Sequence, residues 1–169
     1  MLRKLFPILA LAILATMMAG CFHYRLGDGN KPKYHTIAFA PVINNSFAPQ
    51  MQALVSDALF RSFARGGGMA VESQGSNAEV MLHVTIGEFH KMMGATNTSD
   101  TGRARSLVMV IKANAVLTDA SGQTVYNQDF TVTQEFYADS GMERAENEAM
   151  PQLADLLSQK IYRAVVSNW

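Results

Sequence analysis

"RSLVMVIKANAVLTDASGQTVYNQDFTVTQEFY", residues 105–137, decides the fold. Its first half places Leu107, Met109, Ile111, Ala113 and Leu117 in one phase of a two-residue period. The second half does the same with Tyr126, Phe130, Val132 and Phe136. Successive side chains of a strand point to opposite faces, so each half reads as a strand with one apolar face. "DASG" (119–122) between them supplies the turn residues. Two strands joined so tightly form an antiparallel hairpin.

Working outward, "AEVMLHVTIGEF" (78–89) alternates too, with Val80, Leu82, Val84 and Ile86 against Met81, His83 and Thr85. "TIAFAPV" (36–42) is apolar in both phases, as suits a short strand within a sheet. The segment 44–68 between these strands repeats Met51, Leu54, Val55, Ala58, Leu59 and Phe63 at spacings of three and four, which predicts a helix. Pro49 suits its start, Arg61 and Arg65 lie toward the negative end of its dipole, and Gly66 supplies the stop. The glycines 66–68 follow this helix, whereas a phosphate-binding loop precedes one, so they read as a terminator. Residues 140–167 predict a second helix with Met150, Leu153, Leu157, Ile161, Ala164 and Val165 on its stripe. Pro151 is expected to kink it or to start a fresh helix. The order β-α-β-β-β-α predicts a two-layer α+β sandwich: a four-stranded sheet with two helices on one face, forming a single domain over residues 36–169.

The front of the chain is different. Arg3 and Lys4 precede an uncharged run from Leu5 to Ala19, too short for a bilayer span of about 20 residues but suited to a secretory signal. It ends in "MMAGC" (17–21), small residues followed by the only cysteine. This junction resembles the bacterial lipobox. The expectation is a lipoprotein signal peptide over residues 1–20, a lipidated Cys21, and a tether over 21–35 rich in polar residues and glycine. Phe22 rather than Asp follows the cysteine, which by the same resemblance sends the protein to the outer membrane. A lone cysteine also leaves no internal disulfide. The 14 basic and 14 acidic residues balance, and losing Arg3 and Lys4 makes the remainder slightly acidic, which argues against nucleic acid as a partner.

No catalytic constellation is legible, so the expectation is no enzyme, no cofactor and no metal. His23, His35, His83 and His90 lack partners at zinc-ligand spacing. His90, Met92 and Met93 form a soft-ligand trio that could hold Cu(I), but the methionines read first as an apolar edge or contact surface. Glu143, Glu146 and Glu148 match the positive end of the last helix. The irregular stretch "HKMMGATNTSDTGRARS" (90–106) is far longer than a hairpin requires. It carries Lys91, Arg103 and Arg105 on its flanks, cations suited to phosphate groups or simply to a solvated loop.

Taken along the chain, "CFHYRLG" (21–27), residues 36–68, "NAEVMLHVTI", the hairpin and "RAENEAMPQLADLLSQKIYRAV" resemble the lipopolysaccharide-assembly lipoprotein family LptE. Phe22 departs from it, standing where the family commonly has Gly. The resemblance implies a non-enzymatic protein that plugs a large outer-membrane β-barrel, LptD, assists its assembly and helps deliver lipopolysaccharide to the outer leaflet. It also implies cations contacting the glycolipid phosphates, with Lys91, Arg103 and Arg105 the candidates by charge and position. The alternative is a pilotin-like lipoprotein chaperone for another outer-membrane complex.

Overall fold

The computed structural model describes residues 33–73, 75–94, 106–137 and 142–167. Strands β1 (Thr36–Phe39) and β2 (Ile43–Asn44) lead into helix α1 (Met51–Gly66). Strand β3 (Ala70–Val71) and a short 3-10 turn (Gly75–Asn77) follow. Three long strands come next, β4 (Val80–Met93), β5 (Ser106–Asp119) and β6 (Thr124–Tyr137), and helix α2 (Met142–Ser167) closes the chain. The α+β class, the two helices and the hairpin are as the pattern predicts.

The sheet itself corrects the expectation of four strands. It has six, in the order β3-β1-β4-β5-β6, with β2 also on β4. Both additions are two-residue strands, too short to show a period. β1 and β2 pair in parallel with successive parts of the same β4 edge: Ile37–Phe39 with Val80–Leu82, then Ile43 and Asn44 with Thr85 and Ile86. Pro41 lies in the gap, where its missing N–H interrupts pairing. Ala40 N still donates to Leu82 O (3.0 Å) and Asn45 N to Ile86 O (2.9 Å), so the two pieces act as one broken strand.

Local chemistry fixes the connections. Asn44 Oδ1 accepts from Ser46 N (3.0 Å) and Ser46 Oγ (2.7 Å), while its Nδ2 donates to Ala48 O (2.8 Å), folding the chain into α1. α1 ends where Gly67 takes φ +69°, a left-handed cap that disfavours other residues. At the hairpin, Gly122 has φ +83° and its N–H donates to Asp119 O (2.9 Å). Asp119 Oδ1 also accepts from Ser121 Oγ (2.6 Å), Ser121 N (2.9 Å) and Gln123 N (3.0 Å). These bonds, the Ser121 hydroxyl foremost, lower the pKa of Asp119.

The core lies between one face of the sheet and the two helices. Val80, Leu82, Val84, Ile86, Met109, Ile111 and Leu117 meet Met51, Val55, Leu59 and Phe63 of α1 and Leu153, Leu157, Ile161 and Val165 of α2, all buried. Phe63 stacks edge-on against Phe39 (5.3 Å) and Tyr162 (5.0 Å), tying sheet to both helices. Pro151 starts no fresh helix; α2 runs continuously through it. Tyr34 and His35, at the end of the expected tether, are already bound into this unit. Tyr34 packs on the core, and His35 N donates to Glu79.

Candidate functional site

β4 and β5 extend well past β2, and a bulge shapes that extension. Ile86 pairs with Ala113 but Glu88 pairs with Lys112, leaving Gly87 as an extra residue. The phase therefore reverses. Before Gly87 the even-numbered residues face the helices; beyond it Phe89, Lys91 and Met93 do, opposite Ile111, Met109 and Leu107. Lys91 is thus a strand residue on the helix side. Its Nζ donates to Glu146 Oε1 of α2 at 2.6 Å. The side chains are 43% and 28% exposed, so the pair is worth at most about 1 kcal/mol and opens readily. The sequence alone points Glu146 only to the helix dipole, because a partner 55 residues away leaves no local pattern.

Arg103, Arg105 and Cys21 lie outside the described residues. The structure therefore places Lys91 alone among the sequence-derived candidates. At the same end of the arm Met92, Met93 and Tyr137 are exposed apolar side chains. His90 and Met92 share the outer face, whereas Met93 takes the opposite phase, so strand geometry separates the soft-ligand trio. Among the described residues no group of three His, Cys, Asp or Glu is arranged to hold a metal ion.

The outer face of the long strands is a hydrogen-bonded polar ladder at its centre. Asn114 Nδ2 donates to Asn127 Oδ1 and Asp129 Oδ1, each at 2.8 Å. Glu88 Oε2 accepts from Lys112 Nζ (2.9 Å) and meets His90 Nε2 (3.2 Å). Lys112 first, then His90, lowers the pKa of Glu88. His83 Nε2 lies 3.2 Å from Thr118 Oγ1. Such exposed pairs add little stability; their effect is a face that stays wetted. Val108, Val110 and Val116 lie half-buried among them. Between the β6 edge and α2, a cleft of about 480 Å³ is lined by the carboxylates of Glu135 and Asp155 together with Gln134, Tyr137, Leu156 and Gln159, a mixed acidic, amide and apolar surface.

Comparison with known proteins adds the rest. The family model LptE, lipopolysaccharide-assembly, matches residues 34–165. No curated protein matches the sequence. Solved structures share the fold. A protein from Xanthomonas campestris is 14% identical, with 83% of this chain and 89% of that one covered and a TM-score of 0.55. A minor lipoprotein from Acinetobacter baumannii is 13% identical (80% and 94% covered, TM-score 0.53). The PelC dodecamer from Paraburkholderia phytofirmans is 16% identical (79% and 88% covered, TM-score 0.51). At such identities the likeness is one of fold alone.

Proposed function

Because the chain belongs to the LptE lipopolysaccharide-assembly family, we propose that it is an outer-membrane lipoprotein that plugs a lipopolysaccharide-exporting, LptD-like β-barrel and assists its assembly. The observation that carries this reading is the extent of the family match, residues 34–165, which spans every described strand, α1 and nearly all of α2. The role is non-enzymatic. Residues 1–20 are the signal peptide removed on export, and acylated Cys21 holds the domain to the periplasmic side of the membrane through the tether 21–35. One acyl chain anchors only marginally, so the anchor carries at least two. Among the described residues no helix is long and apolar enough to cross a membrane.

The geometry supports the plug. Barrel interiors are polar and hydrated, and the wetted ladder around Asn114, Glu88 and Lys112 is compatible with such a lumen. Lipopolysaccharide is met near the β4–β5 connection by Arg103 and Arg105, with Lys91 joining when its weak pair with Glu146 opens. Depleting the protein from the producing cell tests the reading. Folded barrel and surface-exposed lipopolysaccharide should both fall. Unchanged levels of both would remove the proposal, and loss of a different outer-membrane complex would favour a pilotin-like chaperone.

A further inference from the structure

A second cationic site lies far from the hairpin in sequence, on the helix layer. α1 and α2 run side by side in the same direction: Gln50 meets Met150, Arg61 meets Asp155, and Gly66 meets Tyr162. Between their C-terminal halves is a groove of about 300 Å³, at the small end of the range for ligand pockets. Arg61, Arg65 and Arg163 line it together with Asp155, Gln159 and Tyr162. We propose that this groove is an anion site that takes a phosphate group.

The charge balance supports it. Arg61 Nη2 donates to Asp155 Oδ1 at 2.9 Å, which neutralises one guanidinium. Among the described residues, neither Arg65 nor Arg163 makes an ion pair. The C-terminal ends of α1 and of α2, the latter a turn beyond Arg163, each oppose an anion with about half a negative charge, so the groove keeps a net charge of roughly +1. The α1 end is itself partly occupied, because Tyr162 Oη donates to Gly66 O at 2.7 Å. The ring sits so close that a Cβ at position 66 would lie 2.1 Å from Tyr162 Cζ. Glycine there lets the two helices close, and the closure holds the α1 and α2 arginines on one groove. Planar guanidiniums bind phosphate oxygens in a bidentate way, so phosphate suits the site better than a monovalent halide.

This site stands apart from the barrel reading and is tested separately. The mature lipidated protein is titrated in neutral detergent with inorganic pyrophosphate, and then with micelles doped with phosphatidate. Pyrophosphate binding that Arg65→Gln and Arg163→Gln each weaken about tenfold, and that added salt weakens, supports a phosphate site. A response to phosphatidate as well assigns the site to lipid headgroups, and a response to pyrophosphate alone assigns it to a soluble phosphate. Asp155→Asn separates binding from structure. It frees Arg61 and should tighten pyrophosphate several-fold, which arginines serving only the fold would not do. Binding of neither probe, unchanged binding in both arginine variants, or weaker binding in Asp155→Asn overturns the proposal.

Discussion

Truncating Leu82 or Leu59 probes the join between sheet and helix layer most simply. Leu82 lies on β4 and Leu59 on α1, and each is 1% exposed within the same core cluster. Leu→Ala removes about three carbon groups, each worth about 0.8 kcal/mol when buried, so the transfer loss alone is near 2.4 kcal/mol. A residual cavity adds about 24 cal/mol per Å³, and a partly collapsed void of about 40 Å³ adds roughly 1 kcal/mol more. Each substitution should therefore cost about 2.5–4.5 kcal/mol. For a domain of this size that is a fall in Tm of roughly 5–15 °C. Leu156 of α2, 37% exposed, is the internal control, and Leu156→Ala should cost under about 1 kcal/mol. Urea unfolding followed by circular dichroism reads all three. A loss below about 0.5 kcal/mol at Leu82 and Leu59, or a loss at Leu156 as large as theirs, would refute the packing described.

Asp119 has a folded-state pKa lowered by its turn hydrogen bonds, so it contributes stability above its unfolded pKa and loses it as pH falls through the folded value. Asp119→Asn should flatten that acid limb of the urea midpoint, and an unchanged limb would contradict the assignment. Lys91→Met should cost no more than about 1 kcal/mol, because its pair with Glu146 is half-exposed; a larger loss in the same melts would show the pair to be structural. Arg103→Glu with Arg105→Glu should weaken lipopolysaccharide binding in a salt-dependent way and leave the fold intact, and wild-type binding at low salt would exclude these residues. Cys21→Ser should release the protein from membranes or block its processing, and mass spectrometry of the wild type showing an unmodified N-terminal cysteine would exclude the anchor.

Much of this fold is legible because alternation and the three-four repeat record burial directly. Tyr126, Phe130 and Val132 alternate because one face of β6 meets the core. The short strands β2 and β3 escape such reading, since two residues hold no period and their pairing depends on where β4 and β1 lie. Gly87 hides the rest of β4. The pattern even-in holds to Ile86, the bulge reverses it, and the odd-in continuation through Lys91 reads as the start of a loop. The site follows the same logic. "HKMM" and the arginines after it are visible as residue types, but the pairing of Lys91 with Glu146 and the convergence of Arg65 with Arg163 join positions far apart in the chain. Only the helix packing brings them together.

The proposed role puts this domain inside a lipopolysaccharide-exporting barrel. Affinity purification of the tagged, lipidated protein from outer membranes tests it most directly. A large LptD-like β-barrel should co-purify in equal amount and survive a salt wash. Recovery of the protein without such a barrel, or with a different outer-membrane complex in its place, would contradict it.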